Sequence, residues 1–155
     1  MIMRNSLRIY LDSSVFGGVW DKEFKEPSIT LFNQIKEKKF LLVTSEVVQL
    51  ELEKAPVKVQ NLFNEYLPSA EVVLVSQEAL QLQQAYLDAN IVGVSYTTDA
   101  LHVALATVNE CSAIVSWNFK HIVHFQKIPL YNAINTVHGY GQIAINSPQE
   151  VIVYE

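Results

Sequence analysis

The sequence predicts an α/β fold in three layers, α/β/α, with a mostly parallel central sheet. Short apolar, β-favouring runs alternate along the chain with longer segments of helical spacing, as in parallel sheets with helical crossovers. Half of the 155 residues are hydrophobic and 17% are charged, which excludes a disordered chain and suits a sheet covered by helices. We expect one domain over residues 1–155, with its core at about 8–125 and a C-terminal helix and possible edge strand in 126–155.

The strands are predicted from short runs of β-branched and aromatic residues. The first is the run Ile9–Leu11, which Asp12 and two serines follow directly. Its apolar character is typical of a strand that is buried on both faces. Three further strands and a possible final edge strand are expected at Phe40–Thr44, Glu71–Val75, Ala113–Trp117 and Val151–Tyr154.

Helices are predicted between these strands from apolar spacing, capping residues and helix breakers. Ser45 is expected to cap the helix after the second strand, and Thr97 or Thr98 to cap an apolar helix from about Asp99 to Asn109. The other helices are expected at Glu26–Lys39, Val57–Tyr66, Ser76–Ala89 and Tyr131–His138. The paired glycines within Val15–Trp20 predict a turn or a loop that can move.

Charge and composition limit the kinds of surface and the cellular location that this protein can have. A formal net charge of −5 argues against a broadly basic nucleic-acid-binding surface, but it allows a basic rim around an acidic cleft. The one cysteine, Cys111, lies in an apolar segment and is expected to be a buried thiol. Residues 1–6 show no signal region, and no apolar run approaches the ~18 residues of a membrane span, so we expect a cytoplasmic, soluble protein.

Four polar side chains are predicted to meet at one edge of the sheet. In a parallel α/β unit the carboxyl ends of strands and the amino ends of helices share an edge. Asp12 follows the first strand, Asn118 follows the fourth, and Asp99 opens the helix that leads into the fourth. Glu51 lies in the second turn of the helix after the second strand. Three carboxylates and one carboxamide therefore belong to this edge.

Each acid also has a structural interpretation. Asp12 can cap the next turn, and Asp99 can be a first-turn acid that the helix dipole stabilises by ~0.3–1 kcal/mol. Glu51 shares the apolar face of its helix, where a buried carboxylate is costly unless it is compensated. A salt bridge is the ordinary compensation, but the two arginines, Arg4 and Arg8, both lie at the start of the chain.

The clustering of these acids favours a metal site. Carboxylates a few ångströms apart raise one another's pKa unless a cation neutralises them. Oxygen ligands without a Cys/His cluster suit Mg²⁺ or Mn²⁺ rather than zinc. Such an ion can activate water and clamp a phosphoryl oxygen, which is the chemistry of phosphodiester hydrolysis.

Four segments in order along residues 9–125 resemble the PIN-domain family (the PilT N-terminal domain fold), in particular the ribonuclease toxins of bacterial and archaeal toxin–antitoxin pairs. Tyr10–Ser14 is similar to the family's first-strand motif, and Ser45–Glu51 to its serine-started helix with an acid six residues on. Thr98–Ala106 resembles the Asp-Ala-x-His-x-Ala helix. Ile114–His121 lies where members carry a strand followed by a polar or acidic ligand.

The resemblance implies a metal-dependent endoribonuclease. Asp12, Glu51, Asp99 and Asn118 would be its catalytic residues and would hold Mg²⁺ or Mn²⁺. Many members have Asp where this chain has Asn118, which removes one negative charge and leaves the number of ions, one or two, open. The resemblance also implies a homodimer, a small antitoxin protein as partner and RNA as the substrate. No membrane association is expected, because no apolar run is long enough to span a bilayer.

Several neighbours of these residues have two interpretations. Ser13, Ser14 and Lys120 are predicted to contact the phosphates of the substrate, as is His121, although simple solvation explains them equally well. His102 can be a general base, but a hydrogen-bonded structural histidine is favoured on an otherwise apolar helix. Trp20 and Trp117 can stack on bases, although core or dimer packing is the ordinary role of such rings.

Two other functions compete with the nuclease. One is a catalytically weak or inactive PIN-like module that binds RNA or a protein partner, with its metal site degraded at Asn118. The other is a phosphotransfer receiver, which requires adjacent acids near the first strand and a lysine at the end of a later one. Serines stand beside Asp12, and Trp117 and Asn118 occupy the lysine position, so the receiver is disfavoured.

Overall fold

The structure is a computed structural model that describes residues 6–154. Arg4 and the rest of residues 1–5, on which the expectation of no signal region mainly depends, lie outside the described residues. Over the described range, five parallel strands form one sheet in the order β3-β2-β1-β4-β5. These strands are β1 (Leu7–Leu11), β2 (Phe40–Ser45), β3 (Glu71–Val73), β4 (Ala113–Val115) and β5 (Ala144–Asn146).

Eight α-helices surround the sheet in the described part of the chain. They are α1 (Ser13–Gly18), α2 (Lys25–Lys36), α3 (Glu46–Leu52), α4 (Val57–Tyr66), α5 (Gln77–Asp88), α6 (Thr97–Val108), α7 (Ile128–Val137) and α8 (Pro148–Val151). One group packs α1 against α2 and α4, with α2 also against α8; the other packs α5 against α6 and α7. The predicted three-layer α/β class with a parallel sheet is confirmed.

The central strand β1 organises the core. Tyr10 pairs in register with Val43 of β2 on one side and with Ile114 of β4 on the other, and all three side chains are fully buried. A strand that is covered on both faces and paired on both edges must be apolar along its length. Because the sheet is wholly parallel, Asp12 at the end of β1 lies at the same edge as the residues that follow β2 and β4.

The prediction of a turn or mobile loop at Val15–Trp20 is wrong, because most of this segment belongs to helix α1. Asp12 caps this helix by accepting a hydrogen bond from the backbone N–H of Ser14 at 3.2 Å. Gly18 is required for close packing rather than for flexibility. A Cβ at Gly18 would lie 2.7 Å from both Ser28 Oγ and the Trp117 indole nitrogen.

Other predicted boundaries also require correction. The strand expected at Val151–Tyr154 is wrong, because the edge strand is β5 and Val151 ends α8. Instead, the backbone N–H and C=O of Val153 pair with the Gln34 side chain at 2.8 and 2.9 Å. The threonine cap of α6 is also wrong: the helix begins at Thr97 itself, and Tyr96 precedes it without a side-chain capping bond.

The remaining elements follow the predictions closely. Ser45 caps α3 by accepting from the Val48 N–H at 3.2 Å, and α4 has the predicted bounds. Helix α2 ends three residues earlier than expected, since Lys38 takes the left-handed conformation with φ of 63°. Cys111 is buried, as predicted. In residues 6–154 no helix is long and apolar enough to cross a membrane.

Candidate functional site at the carboxyl edge of the sheet

Asp12 is the most buried acid at the carboxyl edge, with 4% of its surface exposed. Its two carboxylate oxygens accept three hydrogen bonds from two serines. Ser14 donates its backbone N–H and its hydroxyl, the latter at 2.5 Å, and Ser116 donates its hydroxyl at 2.6 Å. Burial raises the pKa of Asp12, the His102 charge and the serine hydrogen bonds lower it, and the Glu51 charge raises it again, with a net increase.

A chain of polar side chains connects the core to Glu51. Ser45 Oγ lies 2.8 Å from the Tyr10 hydroxyl, which lies 2.7 Å from His102 Nδ1. The other ring nitrogen, Nε2, donates to Glu51 Oε1 at 2.6 Å. His102 is 1% exposed, so both of its buried nitrogens have partners. The preferred interpretation of His102 as a hydrogen-bonded structural histidine agrees with this geometry.

The acids around His102 raise its pKa by more than its burial lowers it. Burial alone lowers the pKa of His102, but the hydrogen bond and charge of Glu51 raise it, and the charges of Asp12 and Asp99 raise it further. The net pKa is above the usual value for histidine. The pKa of this one imidazole is therefore raised by three acids that are distant from one another in sequence.

Glu51 departs from its predicted environment. The apolar spacing of α3 predicts a carboxylate on the inner face, but 35% of the Glu51 side chain is exposed and the residue lies at the rim. Glu51 is the second-last residue of α3, where Oε1 contacts the buried His102 while about a third of the side chain remains open to solvent. Its partner is this histidine rather than the arginine or lysine of an ordinary salt bridge.

Asp99 and Asn118 lie at the same edge with different surroundings. Asp99 is half-buried in the first turn of α6, and its charge acts on both His102 and His121. Asn118 Oδ1 accepts a hydrogen bond from the backbone N–H of His121 at 3.0 Å, while the Asn118 N–H donates to Ser116 Oγ at 2.9 Å. Asn118 therefore orders the loop after β4 through the atom that was predicted to be a metal ligand.

The predicted phosphate-binding residues fall into two groups. Ser13 donates to Glu51 Oε1 at 3.3 Å, and Ser14 is occupied by Asp12 and by the N–H of Trp117 at 2.9 Å. Both serines thus support the acids. Lys120 is exposed, and its ammonium group lies 5.5 Å from the centre of the Tyr96 ring.

Sequence reasoning missed Tyr96 and misjudged the position of His121. The two rings are in tilted contact with their centres 3.8 Å apart, and His121 is 9% exposed. Burial lowers the pKa of His121 against the raising charge of Asp99. The sequence could have indicated both residues by their position, because Tyr96 is three residues before Asp99 and His121 is three residues after Asn118. Trp117 is buried and stacks on Phe24, so it packs in the core.

The donor chemistry of this edge suits a hard cation, although the acids do not form a closed cluster. Among the described residues no group of three or more His, Cys, Asp or Glu side chains is arranged to hold a metal ion. Asp12 nevertheless carries a buried carboxylate whose pKa is raised by burial and by Glu51, and a divalent cation would relieve both effects. The residues thus fit Mg²⁺ or Mn²⁺ in chemistry.

The parallel five-stranded sheet and its covering helices define a three-layer α/β fold of PIN-like form. A chain of VapBC2 from Rickettsia felis, in a crystal structure with a DNA fragment from the promoter, is similar, with a TM-score of 0.57 and 17% identity. The match covers 90% of this chain and 98% of that chain. No family model and no curated protein matches the sequence.

Proposed function

We propose that the protein is a metal-dependent endoribonuclease that hydrolyses RNA phosphodiester bonds, and that it is the toxin of a toxin–antitoxin pair. The observation that carries the proposal is the buried Asp12 carboxylate, which shares the carboxyl edge with Glu51 and Asp99. Over residues 6–154, no lysine or arginine forms an ion pair with these three acids. Acids gathered without a protein cation are typical of a site that receives its cation from solution.

Asp12, Glu51 and Asp99 would hold Mg²⁺ or Mn²⁺, and Asn118 would add a neutral oxygen. When bound, the ion supplies Lewis acidity toward a phosphoryl oxygen and activation of water. Ser14 and Ser116 fix the orientation of the Asp12 carboxylate through their hydroxyls. His102 holds Glu51 in the same way and is itself fixed by Tyr10. Lys120 is free to contact the backbone of the RNA at the exposed rim.

Cleavage of a labelled single-stranded RNA by the full chain tests the nuclease. We expect cleavage with Mg²⁺ or Mn²⁺, none with EDTA, and none with Asp12→Asn under any condition. Glu71→Gln is the matched control, because it neutralises a carboxylate at the opposite edge of the sheet and should leave cleavage unchanged. Activity that persists in Asp12→Asn would show that the cleavage does not depend on this site and would contradict the proposal.

The toxin role rests on the fold shared with the VapBC2 chain and on the sequence motifs. We expect a short reading frame beside the gene whose product binds this chain and blocks its cleavage of RNA. We also expect the free protein to sediment as a homodimer. Cleavage that is unaffected by the product of every adjacent gene would leave a nuclease without the toxin role.

A non-catalytic RNA-binding or protein-binding module is the second candidate. It is favoured by Asn118, whose side-chain oxygen is already occupied by the His121 N–H, and by the lack of a closed group of three metal-binding side chains in the described residues. The same cleavage assay separates the two functions. RNA binding without cleavage in any divalent cation would establish the module.

A further inference from the structure

His121 has an unusual combination of a fixed backbone and an unpartnered ring. Its N–H donates to Asn118 Oδ1 at 3.0 Å and its C=O accepts from the Tyr131 hydroxyl at 2.8 Å. Both ring nitrogens are buried, yet neither has a hydrogen-bond partner. Leaving a buried polar group unpaired costs about 1–3 kcal/mol, whereas an apolar ring would fill the same space without that cost. The arrangement is therefore explained more readily by a ligand than by packing.

Tyr96 covers this ring from the solvent side of the site. The centres of the two rings lie 3.8 Å apart, and their planes are tilted by 30°. Tyr96 is itself 39% exposed, and it ends the short 3₁₀ turn Val94–Tyr96, whose other two residues are also exposed. The aromatic surface over His121 thus belongs to a connecting segment rather than to the interior of a helix or strand.

The chemistry of this pair suits an unpaired nucleobase. Aromatic rings stack on any base, and a neutral imidazole offers one donor and one acceptor, which can meet the polar edge of a base. Lys120, whose ammonium group lies 5.5 Å from the centre of the Tyr96 ring, supplies a positive charge for the adjoining phosphate.

We propose that Tyr96 and His121 form a nucleobase-binding site for single-stranded RNA beside the acidic edge. A base stacks against Tyr96, the Tyr96 side chain shifts, and a ring nitrogen of His121 pairs with the edge of that base. The inference rests on the proposed function, because it places one nucleotide of the substrate next to Asp99 and Asn118. It requires the substrate to be unpaired at this nucleotide, since a base within a duplex exposes neither face.

The test is the affinity of the full chain for a fluorescent oligouridylate in EDTA, measured by anisotropy. Tyr96→Ala removes the stacking ring, and His121→Phe keeps a ring of similar size but removes both nitrogens. We expect each variant to bind about 10-fold more weakly or worse, given base–aromatic stacking of about 1–3 kcal/mol. Tyr96→Phe should bind as the wild type does, because it retains the ring.

Trp20→Ala is the matched control. Trp20 is 41% exposed and has the Lys58 ammonium 5.5 Å from its ring centre, so its exposure and its distance from a lysine match those of Tyr96. Unlike Tyr96, Trp20 makes no ring contact with a histidine among the described residues. We expect its affinity to be unchanged. Equal loss in Trp20→Ala and Tyr96→Ala, or unchanged affinity in His121→Phe, would each overturn the proposal.

A second readout guards against a purely structural effect. The ¹⁵N resonances of the His121 ring should shift when the oligouridylate binds to the wild type, and inorganic polyphosphate of similar charge should not reproduce this shift. Identical shifts with polyphosphate would overturn the assignment to a base.

The outcome is separable from that of the nuclease proposal. Tyr96-dependent binding without cleavage in Mg²⁺ supports the base site and rejects the nuclease. Cleavage whose KM is the same in the wild type and Tyr96→Ala supports the nuclease and overturns the base site.

Discussion

The two edges of the sheet treat their acids differently. At the amino edge, Arg8 forms a two-bonded ion pair with Glu71, at 2.7 and 3.2 Å, and also donates to the backbone oxygen of Asn109 at 2.8 Å. At the carboxyl edge, Asp12 is held by serine donors, and Glu51 is held by a histidine. Among the described residues, Glu71 is paired with a permanent cation, whereas Asp12 and Glu51 have only the titratable His102 beside them.

The partner of each acid separates structural acids from functional ones. An exposed acid such as Glu71 already has a cation as its partner, and the same Arg8 side chain connects β1 to β3 and to the end of α6. A buried acid whose only nearby cation is a histidine has unfavourable solvation that an ion from solution can relieve. Asp12 is of the second kind, so we expect function to follow the carboxyl edge and stability alone to follow the amino edge.

The largest expected effect is on cleavage. Asp99→Asn removes one charge from the carboxyl edge and should reduce the rate of RNA cleavage by about 100- to 1,000-fold, because a metal ion contributes several kcal/mol of transition-state stabilisation. The free energy of unfolding should fall by no more than about 1 kcal/mol, the contribution of a first-turn acid to its helix. Single-turnover cleavage and urea denaturation measure the two quantities. Full activity in this variant would remove Asp99 from the site.

His102→Ala should have the largest effect on stability. The substitution leaves a cavity in a site that is 1% exposed and removes one of the two partners of the Tyr10 hydroxyl, which keeps Ser45, for a loss of about 2–4 kcal/mol in urea denaturation. His102→Gln, which keeps a polar group in this position, should lose less. A loss below about 1 kcal/mol for the alanine variant would show that the Tyr10–His102–Glu51 chain does not stabilise the fold.

Ser116→Ala should have an intermediate effect that is confined to the carboxyl edge. Ser116 is fully buried and donates to Asp12 at 2.6 Å, so its removal frees the carboxylate to rotate. Loss of such a supporting partner typically reduces metal affinity or activity by about 10- to 100-fold. Titration of cleavage with Mg²⁺ measures the change. An unchanged Mg²⁺ dependence would mean that the serine only caps the loop at Asn118.

The smallest effect is expected at the amino edge. Glu71→Gln breaks the Arg8 ion pair, in which the two side chains are 30% and 51% exposed, and should destabilise the protein by at most about 1 kcal/mol. The loss should shrink as salt is added, since exposed charges are screened. Cleavage should not change. A fall in cleavage that matches Asp99→Asn would abolish the distinction between the two edges.

Local patterns in the sequence predicted most of the fold. The apolar run before Asp12, the Ser45 cap and the helix Val57–Tyr66 each depend on residues that are adjacent in sequence. The errors arose where distant residues decide. Paired glycines predict a turn, but Gly18 is needed because Ser28 and Trp117 approach it closely. Strand β5 has three residues and exists only through its pairing with β4.

The location of the candidate site at one edge of the sheet could be predicted from the sequence, but the contacts between its side chains could not. Parallel topology places Asp12, Asp99 and Asn118 on one side of the sheet regardless of their side-chain orientations. It does not reveal that His102 reaches out to Glu51 at the rim, or that Asn118 uses its oxygen within its own loop. The contact between Tyr96 and His121 joins the 3₁₀ turn before α6 to the segment after β4, and no local periodicity in the sequence indicates it.

The most direct test of whether the carboxyl edge takes its cation from solution is to measure the binding of Mn²⁺ to the full chain by isothermal titration calorimetry. The wild type and Glu71→Gln should bind Mn²⁺ with equal affinity, and Asp12→Asn should lose this binding. Equal Mn²⁺ binding in the wild type and Asp12→Asn, or none in the wild type, would contradict the account.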